Sequence, residues 1–177
     1  MNQKNCKWFL IIVLVICSAM PSFSQEILAT FGIGYQIQQK DIYPGYNGEK
    51  GITVGVNILF LGRTGFTIST GVDTIFDIGD GAVVDPIFGL GYVYYNKFYI
   101  GGIFNVIPRP YTYLYNTGDV FISPTIVAGY DFGSVLLGCQ ISSPFGVMSS
   151  IIGFKFSFVV GINVNNITGD NKNINKN

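Results

Sequence analysis

Residues 152–164 read Ile-Gly-Phe-Lys-Phe-Ser-Phe-Val-Val-Gly-Ile-Asn-Val. Every second residue, Ile152, Phe154, Phe156, Phe158, Val160, Ile162 and Val164, falls on one face, with Gly153, Lys155, Ser157, Gly161 and Asn163 on the other. A period of two marks a β-strand, whose successive side chains point to opposite sides. The makeup of the two faces then decides the surroundings. A strand of a soluble sandwich turns a face rich in Lys, Arg, Asp and Glu to water. Here the polar face is mostly small and uncharged. It suits the interior of a narrow barrel, which leaves the Phe, Ile and Val face for lipid.

Working back along the chain, the same alternation recurs in seven earlier segments. The first, 27–38, sets Ile27, Ala29, Phe31, Ile33, Tyr35 and Ile37 against Leu28, Thr30, Gly32, Gly34, Gln36 and Gln38. The others cover about 52–60, 66–78, 84–95, 98–107, 120–132 and 135–142. Eleven glycines fall on the polar face, where small side chains fit a tight lumen, and only Gly102 falls on the apolar one. Tight hairpins at Gly62-Arg63-Thr64-Gly65, Asn96-Lys97 and Gly133-Ser134 alternate with connections at 39–50, 79–83, 108–119 and 145–150. Pro44, Pro86, Pro108, Pro110, Pro124 and Pro144 all fall in or beside those longer connections. Proline cannot donate to a β-ladder, so these residues mark the rim opposite the tight turns. Phe60, Phe66, Tyr92, Tyr94, Phe98, Tyr130 and Phe132 gather at the turn-side rim, as an interfacial aromatic girdle does. The reading is all-β: an eight-stranded antiparallel up-and-down transmembrane β-barrel over residues 26–164.

Composition agrees. Of 177 residues, 49% are hydrophobic, 15% aromatic and 11% charged, with a mean hydropathy of +0.42. Soluble domains carry about 25% charged residues, which argues against an ordinary cytosolic enzyme. A helical membrane bundle needs long apolar runs, and the one such run lies near the N-terminus. Ten basic and ten acidic residues, with no basic cluster, exclude the electrostatic footprint of a nucleic-acid binder. With no histidine, Ser-His and Cys-His catalysis and imidazole zinc sites are excluded.

Residues 1–25 read as a cleaved signal peptide. Lys4 and Lys7 precede the short apolar core Trp8 to Ile16, Pro21 ends it, and Ser22 and Ser24 offer small residues for cleavage near Ser24/Gln25. A lipoprotein cysteine at Cys17 is the rival reading, though Ile16 stands where a small residue is expected. Removing the signal leaves Cys139 as the sole cysteine, an apolar strand residue with no partner for a disulfide. Residues 165–177 form an Asn-rich polar tail, expected to be disordered.

On strand number, alternation and turn order, residues 26–164 resemble the small eight-stranded outer-membrane barrels of the OmpA, OmpX and OmpW type. No motif identifies a subfamily. Gly153, Phe156 and Phe158 resemble the glycine and aromatic spacing of the signal that such barrels present to their insertion machinery. That signal usually closes the chain, whereas here the polar tail continues. The resemblance implies outer-membrane lipid and the insertion machinery as partners, a location in the cell outer membrane, and no cofactor.

Candidate chemistry is sparse. The pentads Phe31-Gly32-Ile33-Gly34-Tyr35 and Phe88-Gly89-Leu90-Gly91-Tyr92 lack the third glycine and following helix of a nucleotide loop, and read as strands with inward glycines. Asp73, Asp77, Asp80 and Asp85 cluster around one connection without an ordered ligand pattern for calcium. Lys155 is the single basic residue on the inward face. A lone buried charge is costly, so an internal ion pair with Asp73, or with Asp77 or Asp85, is expected, acting as a plug or as a gate. Tyr111, Tyr113 and Tyr115 alternate in an outer connection, and either extend a strand above the membrane or offer an adhesive surface for an extracellular ligand. The leading function is a non-catalytic surface barrel for envelope integrity or loop-mediated adhesion. A narrow channel for small or apolar solutes is the alternative. A lipid-modifying barrel enzyme and a soluble ligand-binding barrel stand behind these.

Overall fold

The computed structural model describes residues 26–38, 50–77, 81–109, 119–147 and 152–165. Strands β1 (Glu26–Gln38), β2 (Lys50–Leu61), β3 (Phe66–Asp77), β4 (Gly81–Asn96), β5 (Phe98–Arg109), β6 (Asp119–Asp131), β7 (Leu136–Ser142), β8 (Phe145–Gly146) and β9 (Gly153–Asn163) follow one another in the chain. From β1 to β7 each strand pairs antiparallel with the next, β7 pairs with β9 and β9 with β1, so the sheet closes. β8 continues β7 rather than adding a ninth strand. Ser143 N donates to Pro124 O at 3.1 Å and Phe145 pairs with Ile122, both in the register that pairs β6 with β7. Pro144 interrupts the strand because it has no N–H. The barrel therefore has eight staves.

Its dimensions follow from the register. From Glu26 the ladders lead through Leu61, Thr67, Gly91, Ile103, Thr125, Ser142 and Lys155 to Gln36, ten residues further along β1. That stagger over eight strands gives a tilt of roughly 40° and a backbone radius of about 8 Å. At that tilt the 11 residues of β9 rise about 28 Å, enough to cross the apolar band of a bilayer.

The alternation sorts side chains as the faces predict. Along β9, Phe154, Phe158 and Val160 point outward and are exposed, Phe158 at 69%, while Lys155, Ser157 and Asn163 point inward and are buried. Phe31, Ile33, Val72, Leu90, Phe104 and Ile126 continue the exposed apolar belt around the barrel. Burying a Phe or Leu side chain is worth about 1.5–3 kcal/mol, so a belt of this extent belongs against hydrocarbon. At the turn-side rim Tyr130 makes edge contacts with Phe98 and Phe132, at ring centroid distances of 6.1 and 4.8 Å. The turns there are tight: Gly65 and Gly133 take positive φ, and so does Lys97, the single residue between the paired Asn96 and Phe98.

Two expectations are corrected. The sequence reading places a longer connection at 79–83, but β3 and β4 stay paired as far as Asp77 and Gly81, leaving only residues 78–80 between them. Long and short connections therefore do not alternate strictly. Pro86 and Pro124, read as lying in or beside the longer connections, are paired inside β4 and β6, opposite Val72 and Phe104. Opposite Val72 and Phe104 each stands in a non-bonded pair, so the β3–β4 and β5–β6 ladders lose no bond there, and on its other side Pro124 O still accepts from Ser143 N.

Candidate functional site

The lumen is where polar groups converge, and inward glycines determine which of them meet. Asp73 on β3 lies over Gly55, its ladder partner on β2, where any Cβ would collide with the carboxylate. Freed to lean across β2, Asp73 reaches Lys155 on β9, and the two form a buried ion pair with side chains 10% and 7% exposed. Asp85 sits directly opposite Asp73 in the β3–β4 ladder and is also buried. Gln36 and Ser142 flank Lys155 on the adjoining strands. Of the inward charges singled out from sequence, the structure thus brings Lys155, Asp73 and Asp85 to one level. Asp77 closes β3, and its side chain lies outside the described set. Tyr111, Tyr113 and Tyr115 lie outside the described residues as well.

A second bridge has the same construction. Gly89 on β4 is paired with Ser69 on one side and Asn105 on the other. Across the space it leaves, Ser69 Oγ donates to Asn105 Oδ1 at 2.9 Å, and Asn105 Nδ2 donates to Thr125 Oγ1 at 2.9 Å. Thr125 Oγ1 in turn donates to Ser123 O at 3.1 Å. A third case is aromatic. Tyr99 on β5 covers Gly129 on β6 and its partner Gly138 on β7. Its hydroxyl, like those of Thr53 and Ser157, is buried without a partner among the described residues.

The inward face is less polar than the sequence reading assigns. Leu28, Leu59, Leu61, Val93, Tyr99, Ile103, Val127 and Leu136 form one apolar cluster, and Ile87, Ile107 and Phe121 form another. These large side chains sit in the inward alternation positions among the Gly, Ser and Thr residues. A signal for them was present: Leu28, Ile75, Val93 and Val159 each interrupt the polar face of an otherwise regular segment. Among the described residues, two small pockets in the lumen measure about 20 Å³, beside Tyr99 and Asn105, and about 10 Å³, beside Lys155 and Asp85. A single water needs roughly 10–15 Å³, so each of these pockets is water-sized.

The turn-side mouth is different. An open depression of about 550 Å³ is lined by Glu26, Tyr95, Lys97, Tyr130, Asp131 and Asn163 among others. Asn163 Nδ2 donates to Glu26 Oε2 and to Tyr95 OH, each at 2.8 Å, and Tyr95 OH donates to Asp131. Asp131 also accepts from Gly133 N at 2.6 Å, which ties this network to the β6–β7 turn. Among the described residues no cluster of three acidic, Cys or His side chains is placed to hold a metal ion.

A closed eight-stranded antiparallel barrel, apolar outside and filled inside, defines the class: a transmembrane β-barrel of the smallest outer-membrane type. Among solved structures it resembles Neisserial surface protein A, with 6% identity over 77% of this chain and 96% of that one and a TM-score of 0.56. It is also similar to Ail, the attachment invasion locus protein of Yersinia pestis, with 8% identity over 79% of this chain and 99% of that one and a TM-score of 0.54. At such identities the likeness is one of fold. No protein-family model matches the chain. No curated protein matches it either.

Proposed function

We propose that this chain is an outer-membrane barrel whose work is done at the surface: a non-catalytic anchor that holds outer connections for adhesion or for envelope integrity. In this reading residues 1–25 are the export signal, removed near Ser24/Gln25. The insertion machinery recognises β9, and Tyr111, Tyr113 and Tyr115 offer the contact surface for an extracellular ligand. The observation that carries the proposal is the filled lumen: Lys155 on β9 and Asp73 on β3 meet inside it, and beside Tyr99 and Asn105 it leaves a pocket of only about 20 Å³, which supports an interior that braces the barrel rather than conducts. The names of the two similar structures, a surface protein and an attachment invasion protein, agree with this direction.

The test is outer-membrane fractionation with heat-modifiable gel mobility, followed by planar-bilayer recording and adhesion of expressing cells to polystyrene. The proposal expects membrane localisation, no discrete conductance steps, and lower adhesion for the triple variant Y111A/Y113A/Y115A. Stable single-channel steps would favour the channel alternative, and recovery in the soluble fraction would overturn the membrane reading.

A further inference from the structure

The register stratifies the lumen. A stagger of ten residues over eight strands lifts each ladder step by about 1.25 residues, which brings the inward Leu28, Leu61, Val93 and Leu136 to within about one residue of a common height. These four are 0–2% exposed and, packed under Leu59, Ile103 and Val127, form an apolar floor above the turn-side mouth. Asn57, Asn105, Thr125 and Gln140 follow at the next level, around the pocket of about 20 Å³. Lys155, Asp73 and Asp85 stand above them, beside the pocket of about 10 Å³. Asn105, Thr125 and Gln140 line both pockets, so the two adjoin.

The middle level has hydrogen-bonding capacity to spare. Asn105 Nδ2 spends one of its two N–H groups on Thr125, and the carboxamides of Asn57 and Gln140 make no hydrogen bond among the described residues. Both side chains are also only partly buried, although they stand at mid-height inside the barrel. We propose that water occupies this middle level, bridging the Asn57 and Gln140 carboxamides, and that the apolar floor beneath it is the barrel's seal against the turn side. Size selects the occupant, since a pocket of about 20 Å³ admits nothing much larger than a water. A carboxamide left dry forfeits the hydrogen bonds it makes in bulk water, and a bridging water returns them. The floor offers a water no partner, and an apolar enclosure stays dry. An ion entering from the turn-side mouth would have to shed its hydration among Leu28, Leu61, Val93 and Leu136 before it met any polar group. The Lys155–Asp73 pair then braces the barrel, and the floor is what closes it.

The test reads water directly. The full chain, isotopically labelled, is inserted in lipid nanodiscs, and its contacts with water are mapped by rotating-frame Overhauser spectroscopy, whose sign separates contact from proton exchange. The expected result is water contacts at the Asn57 and Gln140 side-chain amides at least about fivefold stronger than at the methyls of Leu28, Leu61, Val93 and Leu136. In Gln140→Leu, which removes one of the two anchors, the contact at Asn57 falls about fivefold. Gln140→Met serves if that variant fails to assemble. Water contacts absent from both carboxamides, or unchanged at Asn57 once Gln140 is replaced, overturn the water site. Contacts at the floor methyls as strong as those at the amides overturn the seal. Both readouts are independent of what the outer connections bind.

Discussion

Replacing Lys155 with Met keeps the length of the side chain and removes its charge from the middle of the lumen. Asp73, whose side chain is 10% exposed, then loses its ion-pair partner, and Asp85 on the next strand adds a second carboxylate to the same enclosed space. Breaking a buried pair by removing one partner costs about 3–5 kcal/mol, because the stranded charge stays desolvated. With a guanidinium dependence of roughly 2–6 kcal/mol per molar, such a loss lowers the unfolding midpoint by about 0.5–2.5 M. The assay is guanidinium unfolding of vesicle-inserted barrel, read by the heat-modifiable band. D73N and K155M/D73N complete the cycle. Since the double variant leaves neither Lys155 nor Asp73 as a stranded charge, it should recover at least about 2 kcal/mol relative to the sum of the single losses. Additivity within about 0.5 kcal/mol would refute the bracing role, because it would mean that the two groups do not sense each other. New conductance steps in K155M with an unchanged midpoint would instead make the pair a gate.

Other consequences are separable from this one. Tyr99→Phe removes a buried hydroxyl that has no partner and should be neutral or slightly stabilising, whereas Tyr99→Ala uncovers Gly129 and Gly138 and should cost about 3–5 kcal/mol in the same unfolding assay. Phe158→Arg sets a cation at the centre of β9, on the face exposed at 69%, and should destabilise the inserted barrel by about 2–4 kcal/mol. Glu26→Arg at the turn-side mouth, outside that belt, should leave the barrel within about 1 kcal/mol of the unmodified chain. Equal losses at Phe158 and Glu26 would contradict an apolar belt of limited height.

What could be read from the sequence is what a period of two encodes. Alternation fixes which residues share a face, and the low charge of the polar face then fixes which side meets lipid, because the same strand in water would need Lys and Glu there. Register is a different quantity. It depends on how each strand slides against its neighbours, and no local pattern records it. The closed lumen illustrates the consequence. That Gly55, Gly89 and Gly129 face inward is legible from parity alone, but that each lies under a neighbour's side chain is visible only once the ladders are drawn.

The prolines carry the same lesson further. Read one at a time, Pro86 and Pro108 are breakers that belong near strand ends, in or beside the longer connections. In the closed sheet they lie on adjacent strands at one level, and the β4–β5 ladder stops two residues short of them. A single proline deletes one donor, which a neighbouring hydroxyl can replace, as Ser143 does beside Pro144. Two prolines in one bonding pair delete both donors that the pair would exchange, and the strands are then held at that level by side chains alone. The property belongs to neither residue but to the register that brings them together. For that reason P86V or P108V alone should restore one bond and slow amide exchange at the end of the β4–β5 ladder only partly, while the pair restores the full ladder.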